Sequence, residues 1–346
     1  MIREIAYKIK ILRNNACVST LEWDADDAPS VDMDSEAEIK SSLQGTFLIN
    51  PDYDPLKDEL QPVIVTDGQE TPLGVYACAT PSYSGEGSSR RMNIEAYDRC
   101  WKVQSTRTED VLHFSAGTKY MTAVEQLLTG AGISLIMRTD SEAVFPADRE
   151  DWDVGTDYLT IINDLLKEMN FNPLWFDAGG YAHIEPYTPP SSAVIKRNYS
   201  ARDIRRLPML PGCEDETDIF SAPNVFVCIC SNADRTASLV ATSVNDSPMS
   251  SKSIFCRGRR IAEVIKVDQI ADQAALQAYA DRLRTESMMA TQAVTFYVPA
   301  EGGHGMQDVI SIDHPDIGGI YMETGWSLTM AQGEGMTITA RRTVMV

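Results

Sequence analysis

The chain has 346 residues, 43% hydrophobic and 23% charged, which suits two or three domains with real cores and excludes a disordered polypeptide. Its 50 acidic residues against 30 basic ones give a formal net charge of −20. That balance excludes nonspecific binding to nucleic-acid phosphate and disfavours an anionic membrane surface.

Residues 1–112 read as antiparallel β. Ile5 to Ile11 alternates apolar and polar side chains, Asn14-Asn15 makes a turn, and Cys17 to Trp23 returns. An acidic connection follows, with Asp24, Asp26, Asp27, Asp32, Asp34, Glu36 and Glu38. Strands are expected at Gly45 to Ile49, Pro62 to Val65 and Leu73 to Cys78, with a loop at Asp67-Gly68. Tyr83 to Ser89 is a hairpin tip before a strand at Arg91 to Tyr97. The pattern is that of a small barrel or sandwich.

The period changes to helical between residues 113 and 200. Thr118 to Leu128 predicts a helix with Met121, Val124, Leu127 and Leu128 facing in. Tyr158 to Leu166 repeats it, keeping the Tyr, the Thr and the Leu-Leu pair. Each copy precedes a strand, Ile133 to Ile136 and Leu174 to Phe176. The second strand turns at Asp177-Ala178-Gly179-Gly180 and returns through Tyr181 to Glu185. Two helix–strand units of this kind make a small α/β domain, with Trp175 expected in its core.

Residues 201–346 return to β with one inserted helix. Strands are expected at Asn224 to Cys230, Ser238 to Val244, Ile261 to Val267, Gln292 to Val298, Asp308 to Ile312 and Gly319 to Thr324. Asp272 caps a helix reaching Met289, and a last hairpin turns at Gln332 to Gly335. Junctions are expected near 112–117 and 188–215, where Pro189-Pro190 and Pro208 to Glu216 read as linker.

No residue is assigned a catalytic, cofactor or metal role. His113, His183, His304 and His314 are scattered and form no HExxH pair. Cys228 and Cys230 share one strand face but lack a second pair to complete a metal site, and the seven cysteines read as reduced, mostly buried thiols. The aspartates from Asp24 to Asp34 lack the Gly and Glu of a calcium loop. Gly85 to Arg91 lacks a P-loop lysine, and Gly302-Gly303-His304-Gly305 reads as a similar loop. No G-x-S-x-G elbow is present, so an enzyme is not expected. No stretch approaches the ~20 apolar residues of a membrane span, and Met1 to Lys8 shows no signal-peptide run, so synthesis and solubility in a cytoplasm are expected.

The order of the parts resembles the hub proteins of phage tail baseplates and tail tips, the late control D-like family, also found in contractile injection systems. Leu73-Gly74-Val75-Tyr76 and Glu95-Ala96-Tyr97-Asp98 carry the resemblance early on, and Tyr158 to Tyr187 in the middle. Gln307-Asp308-Val309-Ile310, Gly319-Ile320-Tyr321, Trp326 and Gly335-Met336 carry it at the end, with Gln307 where the family usually has Gly. The resemblance implies an α+β, mainly β fold: two β-barrel-like domains of tail-tube type, 1–112 and 201–346, flanking the small α/β domain at 113–200. It implies a homotrimeric ring that continues the tail tube, located in the virion. Its partners would be the tail tube or distal tail protein, a tip, spike or fibre protein, and the tape-measure protein. DNA would pass through an acidic lumen without specific binding, and this chain would insert into no membrane. The chain ends at Val346 without room for the hydrolase extension of longer relatives, so lysin activity is expected in another protein. Two rival readings are a host-glycan-binding tail module using Trp101, Trp152, Trp175 or Trp326, and a peptidoglycan hydrolase.

Overall fold

The computed structural model describes residues 5–24, 27–190, 194–203, 205–217, 223–231, 238–267, 269–289 and 292–342. Asp26 of the acidic segment lies outside the described residues.

The first eight strands are β1 (Ile5–Arg13), β2 (Ala16–Leu21), β3 (Ser30–Asp34), β4 (Ser41–Leu48), β5 (Glu59–Thr66), β6 (Gln69–Pro72), β7 (Tyr76–Ser84) and β8 (Arg91–Asp98). Two of their hairpins use two-residue turns with both residues left-handed, Asn14-Asn15 (φ 52 and 64) and Asp67-Gly68 (φ 50 and 80). Asn, Asp and Gly tolerate that geometry, whose twist matches the flanking strands. Helix α1 (Arg99–Ser105) follows β8 directly, inside a stretch expected to be all β. The Asp98 carboxylate accepts from the Cys100 N–H and starts the helix there.

The middle of the chain holds α2 (Tyr120–Gly130), β9 (Ile136–Arg138), α3 (Tyr158–Glu168), β10 (Trp175–Phe176) and β11 (Ala182–Ile184). The repeat seen in the sequence extends to the helix ends. Both helices have eleven residues and start at the matching Tyr. Both stop at a left-handed residue, Gly132 (φ 76) or Asn170 (φ 57). The next N–H then folds back: Ile133 N donates to Leu128 O and Phe171 N to Leu166 O, each at 2.9 Å. β11 lies between the two repeat strands, antiparallel to β10 and parallel to β9. Met121, Val124, Leu127 and Leu128 of α2 share one core with Leu159, Ile162, Leu165 and Leu166 of α3. Trp175 does not join that core: Leu174 fills it, and Trp175 turns to the opposite face of the strand.

The remainder comprises β12 (Arg197–Ser200), β13 (Leu207–Pro208), β14 (Cys213–Thr217), β15 (Val225–Cys230), β16 (Leu239–Val244), α4 (Ile254–Arg257), β17 (Ala262–Val267), α5 (Gln273–Met289), β18 (Gln292–Pro299), β19 (Val309–Asp313), β20 (Gly319–Thr329) and β21 (Gly335–Arg342). The stretch read as a 188–215 linker thus supplies β12, β13 and the start of β14. Asp272 caps α5 as expected, its carboxylate accepting from Ala275 N at 2.8 Å. Strands β16, β15 and β17 form a separate three-stranded sheet, one face of which packs on α5 through Cys228, Cys230, Ala241, Leu276 and Ala280.

The other strands form one fifteen-stranded sheet in which β20 is the joint. Along one edge β20 pairs with β21, which leads to β18 and β14. Along its other edge it pairs first with β19 and then, from Gly325 onward, with β3. The acidic segment expected to be a plain connection therefore contains the strand that fuses the first and last thirds of the chain. Gly325 makes that passage possible, because a Cβ there would sit 2.6 Å from the Met33 carbonyl oxygen and 2.9 Å from Thr339 Oγ1. One core runs across the joint, from Ile9, Ile11 and Phe47 to Phe296, Leu328 and Ile338. The fold is mainly β, as the sequence indicates. Its sheet path runs open from β13 to β2 and does not close into a barrel among the described residues. No helix among them is long and apolar enough to cross a membrane.

Candidate assembly surface and its anchoring network

Helix α1 fastens the helix–hairpin unit to the large sheet. Its first residue, Arg99, is buried and uses its whole guanidinium fork. Nε and Nη2 donate to Glu59 of β5 at 3.0 and 2.7 Å, and Nη1 donates to Gly180 O at 2.6 Å. Nη2 also donates to Asn15 Oδ1 in the β1–β2 turn. One side chain thus ties a turn, a strand and the tip of the middle hairpin. Burial alone would raise the Glu59 carboxyl, but Arg99 and Lys102 outweigh it and hold it below the usual carboxylate range. Gly180 has φ 81, and a Cβ there would meet Arg99 Nη1 at 2.9 Å and Val75 Cγ2 at 3.0 Å. The Gly-Gly turn therefore serves close approach as well as backbone conformation.

Next to Arg99, Asp98 is fully enclosed, and burial pushes its carboxyl up to about 6 even though the Cys100 N–H and Lys40 favour the charged form. Burial also holds the Lys40 ammonium below the usual lysine range; it donates to the carbonyls of Ser35 and Ala37. A carboxyl raised on folding contributes stability that is complete below the unfolded value and is lost as pH rises through the folded one. Asn caps helices as well as Asp does. Asp98→Asn is therefore expected to gain about 1 kcal/mol on the wild type between roughly pH 5 and pH 7 in denaturant titrations. A difference that stays flat across that window would contradict the assignment.

A second buried network lies inside the middle unit. Arg149 meets Glu168 of α3 in a two-pronged pair at 2.9 and 3.0 Å, and Tyr120 of α2 donates to the same carboxylate at 2.7 Å. Burial raises the Glu168 carboxyl above its ordinary range despite the arginine. A third network joins β12 to the last hairpins. His304 bonds Glu323 at 2.8 Å, and both side chains are almost fully buried. Arg197 donates to Asp308 at 2.8 Å and to Gly302 O, and the Tyr199 hydroxyl donates to Glu301.

Of the histidines singled out in the sequence, His304 belongs to these networks. The Gly302 to Gly305 loop is an anchor, because it presents His304 to Glu323 on β20. His183 stacks on Trp175 at 4.2 Å and contacts Asp177 at 3.0 Å, where the carboxylate organises the turn. His113 is exposed beside Glu150, and His314 lies next to Asp316. Cys228 and Cys230 are buried against α5, whereas Cys17 and Cys256 are exposed, against the expectation of mostly buried thiols for these two. Gly85 to Arg91 forms the β7–β8 tip. Asp24 pairs with Arg91 at 3.3 Å. No cluster of potential metal ligands occurs among the described residues. Trp152 and Trp326 are buried, Trp101 is half-buried, and Trp175 lines a cleft of about 810 Å³ between the middle hairpin and the residue 303–309 loop.

Two sheet edges and an acidic region lie on the surface among the described residues. The free edge of β2 carries Ala16, Cys17, Val18, Ser19 and Thr20, mostly exposed and without charge. That composition is competent for strand addition. The free edge of β14 carries Glu214, Asp215 and Glu216, exposed acids that oppose casual pairing. Asp27, Asp34, Glu36 and Glu38 are exposed around β3. The sequence showed these acids; the pairing of β3 that carries them was hidden, because Val31 and Met33 are its only apolar residues.

No family model matches the sequence, and no curated protein matches it. Solved structures do match in fold over nearly the whole chain. A tail protein from Neisseria meningitidis has a TM-score of 0.67 at 13% identity, with 98% of this chain and 97% of that one covered. The 43 kDa tail protein of prophage MuSo2 from Shewanella oneidensis has a TM-score of 0.66 at 10% identity, covering 97% and 98%. A prophage tail protein from Listeria monocytogenes has a TM-score of 0.59 at 13% identity, covering 96% and 94%. The chain shares the fold of these tail proteins from end to end.

Proposed function

We propose that this chain is a structural hub of a phage tail tip or baseplate. Three copies form a ring that continues the tail tube and adapts it to tip, spike or fibre proteins. The observation that carries the reading is the match in fold, over nearly the whole chain, to tail proteins, two of them from prophages, with two β modules fused through β20. A ring needs rigid subunits with matched edges. The shared core and the Arg99 anchor supply the rigidity. The tube or distal tail protein sits on one side of the ring, the tip protein on the other, and the tape-measure protein ends within it. The lumen face is acidic, so that a DNA backbone slides past without meeting sticky cations. The particle is assembled in the host cytoplasm, and the protein acts in the virion. The reading invokes no enzymatic role: the buried polar networks described above join elements of the fold.

Negative-stain imaging of the purified chain, alone and mixed with the tube protein of the same tail, tests this reading. Rings of three that cap tube ends are the expected result. A chain that stays monomeric and ignores the tube protein, or that clears a peptidoglycan zymogram, would overturn it.

A further inference from the structure

Strand β15 reads Val225-Phe226-Val227-Cys228-Ile229-Cys230, apolar at every position. Such a run is the mark of a strand covered on both faces. Among the described residues, α5 packs on one of them. Phe226, Cys228 and Cys230 face α5, whereas Val225, Val227 and Ile229 share the other face with Val240, Thr242 and Val244 of β16 and Val264 of β17, and Val225 at its end is buried. Val240 is 52% exposed and Val264 59%, and no other described element packs there. Contiguous exposed apolar faces on soluble chains mark interaction sites.

The surroundings of that face identify its occupant. The β16–β17 connection ends in Arg257-Gly258-Arg259-Arg260, and Lys266 lies on the apolar face itself, one row beyond Val264. From Arg257 to Lys266 there are four cations and one acid, in a chain of net charge −20. Arg259 and Arg260 are exposed. The complement exists on the same molecule: residues 27–38 hold Asp27, Asp32, Asp34, Glu36 and Glu38 and no cation. An apolar face with a basic rim and a distant acidic segment are the two halves of a head-to-tail contact, which closes into a ring when repeated around an axis. Three strands of six residues present roughly 300 Å². A stable interface needs about 800 Å² per partner, so the contact must extend past the apolar face onto its rim.

We propose that the outward face of the β16-β15-β17 sheet docks on a second copy of this chain, with Arg259 and Arg260 against the second copy's acidic segment 27–38. The inference rests on the ring reading above and assigns its subunit contact.

Native mass spectrometry and sedimentation of the full chain at moderate salt test it. R259E/R260E and, separately, V264E are each expected to weaken trimer formation at least about tenfold without lowering the melting temperature. Adding D27R/E38R to R259E/R260E is expected to restore the trimer. If both variants form trimers as the wild type does, the contact lies elsewhere while the ring reading stands. A wild type that never associates overturns both. Binding of duplex DNA that R259E/R260E abolishes, with the trimer mass unchanged, would overturn the proposal in favour of nucleic acid.

Discussion

Arg99→Met is expected to lower stability by about 3–5 kcal/mol, the range for breaking a buried pair by removing one partner. The loss is large because the variant strands Glu59 as an uncompensated buried carboxylate, with only Lys102 at 3.2 Å left beside it. It also frees the Gly180 carbonyl and Asn15, so the middle unit loses one of its ties to the sheet, the Gln61–Ala178 bond remaining. Two controls separate these effects. E59L/R99M replaces the pair by apolar groups and is expected to recover much of the loss. Gly180→Ala keeps the pair but forces a Cβ towards Arg99 at a left-handed position, and is expected to destabilise by a smaller amount. The sign with pH is fixed by the depressed Glu59 carboxyl. Its contribution is present above the ordinary glutamate range and is lost as pH falls through the folded value. The gap between wild type and R99M should therefore narrow in acid. Denaturant titrations of the variants settle the matter, and a cost for R99M below about 1 kcal/mol would refute the anchoring role.

Arg149→Met is the second large expectation, again about 3–5 kcal/mol, but confined to the middle unit. Arg149 lies over the rings of Phe145 and Trp152 at 5.4 and 5.0 Å while its fork holds Glu168, so the Met variant loses charge pairing and ring contact together. Tyr120→Phe removes one hydrogen bond to the same carboxylate and is expected to cost about 1 kcal/mol. Hydrogen exchange distinguishes this from the first case: α2 and α3 should lose protection while β1, β5 and β7 keep it. Loss of protection spread evenly over the large sheet would contradict a local role for Arg149.

Elements with strong period or turn chemistry were legible in the sequence. The Tyr120 and Tyr158 helices, the Asn14-Asn15 and Asp67-Gly68 turns and the Asp272 cap follow from local rules, and they stand where those rules put them. The β3 strand was not legible. Its sequence, Ser-Val-Asp-Met-Asp, gains its partners from β4 and from β20, nearly three hundred positions away, and no local signal encodes that pairing. Helix α1 is short and follows a strand without a turn, so only Asp98 announced it. Trp175 was misplaced by one strand position, which sends a side chain to the opposite face. The anchoring networks were invisible for a related reason. Arg99, Glu59 and Gly180 come from three separate segments and meet only in the folded molecule. His304 sits in a glycine-rich loop, and its partner Glu323 lies nineteen positions away on β20.

The β3–β20 joint gives the two β modules one shared core, and the ring reading depends on subunits of that rigidity. The mass of the assembled species, measured by native mass spectrometry over a concentration series, tests the central claim most directly. A dominant species of three times the 38.3 kDa chain is the predicted result. A single-chain mass at every concentration, or an even-numbered assembly, would contradict it.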